Sequence, residues 1–123
     1  MAKILIAEDS PHFVRLVELI LKRGGHSAKF AVDGEKALSE VRKEQPDVAI
    51  LDVNMPGMNG LEVLDVLKAD PATAGVPVII LTATSHALTK KEALESGAAA
   101  FLTKPFSPTA LLSTINEITT KAS

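Results

Sequence analysis

Short apolar runs and amphipathic stretches take turns along this chain. Lys3-Ile4-Leu5-Ile6-Ala7 is the first run, and Ser10-Pro11 follows at once as an N-cap and first helical residue. Val14, Val17, Ile20 and Leu21 then recur at helical spacing until Gly24-Gly25. Ala28 to Val32 is a weaker strand, and Asp33-Gly34 opens a helix with Ala37, Leu38 and Val41 on one face. Asp47 to Leu51 reads as a buried strand. After a loop over 52–58, Leu61, Leu64 and Leu67 trace a third helix that Asp70-Pro71 ends. Val76 to Leu81 is a fourth strand, residues 86–96 a helix closed by Gly97, and Ala100 to Thr103 a last short strand. Ser107-Pro108 repeats the cap signal before Leu111, Leu112, Ile115 and Ile118 stripe the final helix.

Five strands thus alternate with five helices through short connections, without an internal repeat. Strands apolar on both faces and separated by helices imply a parallel sheet covered on both sides. Right-handed crossovers then favour an α/β doubly wound sheet, for which 2-1-3-4-5 is the common order of five strands. No linker-like segment divides residues 1–123, so one domain is expected, of ordinary single-domain length.

Composition narrows the function. The net charge of −2 offers no broad basic field for nucleic acid. Without cysteine there is no disulfide, no thiolate chemistry and no Cys-based zinc site. No apolar run approaches the ~18 residues of a membrane span, and the N-terminus lacks a signal peptide's apolar region. A cytoplasmic protein without membrane insertion is expected.

Candidate chemistry collects at one edge. In a doubly wound sheet, ligands bind beyond the carboxyl ends of the strands near the switch in strand order. Strand 1 ends in Glu8-Asp9, strand 3 in Asp52, strand 4 in Thr82 and strand 5 in Lys104. In the order 2-1-3-4-5 these four strands are contiguous. Each residue alone has a plain explanation: Asp9 or Ser10 as a helix cap, Thr82 as a turn residue, Lys104 as a solvated cation. Together they are harder to dismiss. Three carboxylates against one ammonium leave a formal charge of −2, and carboxylates in close contact take up a proton or bind a cation. An all-oxygen site suits a hard ion, magnesium in particular. A metal, a lysine and a threonine hydroxyl around one carboxylate make a site for phosphoryl transfer, with Asp52 fitting as a nucleophile that forms an aspartyl-phosphate.

The segments "ILIAEDS", "DVAILDVNMPGMNGLEVL", "VPVIILTA" and "FLTKPF", in that order, closely resemble the receiver domain of bacterial two-component response regulators, the family of the chemotaxis regulator. The likeness covers essentially the whole chain and implies a flavodoxin-like receiver fold. It implies that Asp52 accepts phosphate from a sensor histidine kinase or histidine phosphotransfer protein. It also implies self-catalysed phosphotransfer and autodephosphorylation rather than ordinary enzyme turnover. Asp9, Asp52 and the backbone carbonyl of Asn54 would bind Mg2+ (or Mn2+) directly, with Glu8 acting through water. Thr82 and Lys104 would bind phosphoryl oxygens, and the Lys104-Pro105 bond would be cis. Phe101 matches the aromatic switch position, paired with Thr82, where many members carry Tyr. Asn59 stands where many members have Asp and reads as the N-cap of the third helix.

Two other classes share parts of this pattern. A phosphatase of the haloacid dehalogenase class also has a strand-end Asp nucleophile, but it wants a second Asp two residues on, where this chain has Asn54. A flavodoxin-like binding module needs donors to a phosphate in its first strand–helix loop, where Glu8-Asp9 would repel one. His12, His26 and His86 are scattered singly and read as surface residues. No output domain is visible, which suits a stand-alone receiver signalling to a downstream protein target.

Overall fold

The computed structural model describes residues 2–55, 57–82, 87–104 and 107–122. Five strands and five helices alternate: β1 (Lys3–Ala7), α1 (Pro11–Arg23), β2 (Ser27–Ala31), α2 (Gly34–Lys43), β3 (Val48–Asp52), α3 (Gly60–Ala69), β4 (Val78–Thr82), α4 (Ala87–Glu95), β5 (Ala100–Thr103) and α5 (Pro108–Ala122). All strand pairs are parallel, in the order β2-β1-β3-β4-β5.

The two-residue period of the strands divides the core. Leu5, Ala7, Ala49, Leu51, Val78 and Ile80 face the helices α2, α3 and α4. Ile4, Ile6, Val48, Ile50, Ile79 and Leu81 face α1 and α5, where Val17, Ile20, Leu21, Leu111 and Ile115 cover them. β3 and β4 are buried along their whole length, which is why their sequence does not alternate. Burial of each such Ile, Leu or Val contributes roughly 1.5–3 kcal/mol.

Helix starts follow their caps. Ser10 accepts from the Phe13 amide with Pro11 in the first turn, and Asp33 accepts from the Lys36 amide. Asn59 and Glu62 close a reciprocal capping box, so Asn59 is the N-cap expected of it.

The strand limits shift where pairing overrules pattern. β2 occupies 27–31 and leaves Val32 exposed, because register with β1 ends at the Ala7–Ala31 pair. β3 occupies 48–52; Asp47 lies just outside, locked to the Lys3 backbone by its amide and by its carboxylate. β4 starts at Val78, since Val76 closes a turn onto the Thr73 carbonyl and Pro77 has no N–H to offer. Among the histidines, His12 is exposed, but His26 is not a surface residue. Its ring is buried beyond the end of α1 and Nδ1 accepts the Ala2 amide at 3.0 Å. Burial, helped by the nearby amino terminus, lowers its pKa. His86, at the expected start of the fourth helix, and the Lys104-Pro105 bond lie outside the described residues.

Candidate functional site

The strand alternation that sorts the core also assembles the site. Glu8 continues the face of Ile4 and Ile6, Asp52 that of Val48 and Ile50, and Lys104 that of Ala100 and Leu102. All three therefore leave the C-terminal edge of the sheet on the α1–α5 side. There they touch. The Lys104 ammonium donates to Glu8 Oε2 at 2.7 Å and to Asp52 Oδ2 at 2.5 Å. Glu8 and Asp52 are each 2% exposed, and the Lys104 side chain 20%. The bridging cation is therefore shielded from water rather than loose on the surface.

Backbone groups hold the carboxylates from the other side. Asp52 Oδ1 accepts the Asn54 amide at 2.7 Å, and Glu8 Oε1 accepts the Ser10 amide at 3.0 Å. The turns after β1 and β3 thus aim amides into the crevice. Gly60 lets the second turn close: a Cβ there would stand 2.5 Å from the Asp52 carbonyl oxygen. Any side chain at 60 would push α3 away from the phosphoacceptor candidate.

Charge competes with burial in this cluster. Burial lifts the Glu8 carboxyl to about 7, with neighbouring Asp52 adding to the rise and Lys104 and the Ser10 amide opposing it. Burial also disfavours the Lys104 ammonium, but its bonds to Asp52 and Glu8 outweigh that and raise its pKa. The site stores a proton-sensitive acid beside a persistent cation.

The other expected residues are placed less tightly. Asp9 is exposed at the mouth, as is Asn54. Thr82 is buried one residue beyond Leu81, the lateral partner of Asp52, and its carbonyl accepts the Lys104 amide at 2.7 Å. Phe101 is half-buried beside Ile80 on the α4 face, two residues before Thr103, the neighbour of Thr82. Among the described residues, no three His, Asp or Glu side chains converge as a closed metal cage. An open, all-oxygen donor set with an exposed Asp9 fits magnesium, which keeps several waters and takes one or two carboxylates.

Sequence reasoning missed Phe13. Its ring faces Lys104, with Nζ 4.0 Å from the centroid. The signal was available: Phe13 lies four residues before Val17 on the stripe that α1 buries.

Comparison with known proteins bears on the whole chain. The model of the response regulator receiver domain matches residues 4–116. Protein PilH of Pseudomonas aeruginosa is 37% identical over 118 residues, covering 96% of this chain and 98% of that protein. The DNA-binding response regulator MtrA of Mycolicibacterium smegmatis is 37% identical over 113 residues, covering 92% of this chain. The chain spans only 48% of MtrA, and 26% of the response regulator PleD of Caulobacter vibrioides. Among solved structures, the Francisella response regulator 1452 receiver domain superposes with a TM-score of 0.93 at 30% identity, covering 100% of both chains. The Vibrio cholerae chemotaxis protein CheY4 gives 0.88 at 35% identity, covering 96% of this chain and 98% of that one.

Proposed function

Because the chain belongs to the response regulator receiver domain family, we propose that it is a phosphoacceptor switch charged on Asp52 by a histidine kinase or histidine phosphotransfer protein. One observation carries this reading: a buried strand-end carboxylate has an amide on one oxygen and an ammonium on the other. An oxygen of Asp52 attacks the phosphorus, the phosphorus–nitrogen bond to the donor imidazole breaks, and the imidazole keeps that electron pair and gains a proton. Lys104 needs only to transfer a hydrogen bond from carboxylate to phosphoryl oxygen, and the Thr82 hydroxyl supplies a second donor. Asp9, Asp52 and the Asn54 carbonyl would hold magnesium (or manganese), with Glu8 acting through water, and the ion would supply further positive charge. Water later hydrolyses the acyl phosphate and resets the switch.

Incubation with magnesium and acetyl phosphate should add one phosphoryl group, located on Asp52 by intact mass and peptide mapping. Chelation of the metal should abolish the addition. Labelling that persisted in chelator would remove the metal from the step, and labelling elsewhere would remove Asp52 from its role.

On this reading residues 1–123 are one receiver unit acting in the cytoplasm through a protein target, without contacting nucleic acid itself. No helix among the described residues is long and apolar enough to cross a membrane. The output route runs from Thr82 to Phe101, because the two side chains lie on the same face of neighbouring strands. A phosphoryl group adds about −2 charge and new acceptor oxygens. Movement of Thr82 toward them would open space for the Phe101 ring, altering the surface formed by α4, β5 and α5. Lys90, Lys91 and Leu94 are exposed on α4 there. NMR with a beryllofluoride phosphate mimic should shift resonances across residues 84–106. Changes confined to the Asp52 loop would sink the route.

A further inference from the structure

Among the described residues the Lys104 ammonium has three charged or aromatic neighbours, and two of them are carboxylates. The third is an aromatic ring. Phe13 is the third residue of α1, and its amide caps onto Ser10 Oγ at 3.5 Å. The Ser10 amide in turn binds Glu8. The start of α1 is therefore tied to the same acid that Lys104 contacts. The partly buried ring packs against the core face shared by Val17, Ile20 and Leu21. With Nζ 4.0 Å from the centroid, the cation sits over the negative face of the ring.

We propose that Phe13 is a positioning residue for phosphoryl transfer, its ring face holding the Lys104 ammonium beside Asp52 while the ammonium changes anionic partners. The inference rests on the phosphoacceptor reading of Asp52. Its physical basis is that a carboxylate contact must be given up when a phosphoryl oxygen arrives, whereas the ring contact need not be. Lysine has a long, flexible stem, so a partner common to both states limits its search. The ring also covers one side of the ammonium against water, which strengthens its remaining electrostatic contacts. Attraction to the ring does not bind the incoming group. It acts on the cation that does.

The test compares Phe13→Leu, which keeps an apolar side chain, with Phe13→Tyr, which keeps the ring face. In unmodified wild-type protein and in Phe13→Tyr, the Lys104 ε-methylene protons should be shifted upfield by the ring current, and in Phe13→Leu they should return to ordinary lysine positions. The rate of Asp52 labelling by acetyl phosphate should fall about 3–10-fold in Phe13→Leu and stay within about twofold in Phe13→Tyr, the range expected for loss of one cation–π contact. The magnesium titration midpoint, followed by NMR, should be unchanged in both. If Leu unfolds the chain, Phe13→Met replaces it as the ringless variant. Wild-type lysine protons without the shift would overturn the proposal even if Asp52 labelled normally. A ringless variant that labels at the wild-type rate, or equal losses in Leu and Tyr, would overturn it as well. An intact ring-current shift with no labelling of the wild type would instead show that the phosphoacceptor reading had failed, taking the kinetic role of Phe13 with it.

Discussion

Asp52→Asn should abolish phosphoryl labelling while leaving the fold intact. The amide is close to isosteric with the carboxylate, but its oxygen is a poor nucleophile and carries no charge to attract a cation. The loss should be complete in intact-mass spectra under conditions that label the wild type. The substitution has a second consequence that does not depend on phosphate. Asp52 contributes to holding the Glu8 carboxyl at about 7, after burial. Removing its charge should move the Glu8 midpoint down, toward but not reaching the ordinary carboxylate range, because burial remains. Carboxyl-carbon NMR of Glu8 reads that midpoint directly. Undiminished labelling would refute Asp52 as acceptor, and an unmoved midpoint would refute the coupling between the acids.

Lys104→Ala should impair stability in a way that depends on pH. A surface ion pair contributes only ~0–1 kcal/mol, whereas breaking a fully buried pair costs roughly 3–5 kcal/mol. Lys104 stands between these cases, with its side chain 20% exposed and both acids buried. The sign follows from proton binding. The folded Glu8 carboxyl has its pKa raised, so it binds its proton more tightly than the unfolded chain does. Stability from that proton is full below the ordinary carboxylate range and is lost as pH rises through about 7. Lys104 limits this loss by stabilising the charged form. Without the ammonium the Glu8 pKa rises further, and the decline extends to higher pH. The variant should already be less stable than the wild type at about pH 5, where the Asp52 contact is lost, and its deficit should grow by about 1–3 kcal/mol at about pH 8. Denaturant melts across that range decide it. Parallel pH profiles for the two proteins would show that Lys104 does not neutralise these acids.

Local patterns were enough for the elements, and the reason lies in the range of the forces involved. Ser10-Pro11, Asp33-Gly34 and Asn59 with Glu62 act within one helical turn, so their caps are legible as strings of residues. The apolar runs of β3 and β4 announce burial on both faces, which carries the parallel sheet with it. The strand-end positions of Glu8, Asp52, Thr82 and Lys104 follow from the same pattern, and so does their convergence at one edge once the order 2-1-3-4-5 holds.

What tertiary structure decided was partnership and environment. Lys104 meets Glu8 across 96 positions of sequence and Asp52 across 52, and no local period encodes such contacts. Pairing register, not hydrophobicity, moved the ends of β2, β3 and β4. His26 looked like a solitary surface residue, yet the packing of the first strand beside the end of α1 buried it against the Ala2 amide. Phe13, which the sequence did not single out, is partly buried beside Lys104, because the stripe that α1 buries runs past the hydrophobic centre to the acidic edge. A side chain's neighbours across the fold set its pKa and its mobility, and those neighbours exist only after the sheet has closed.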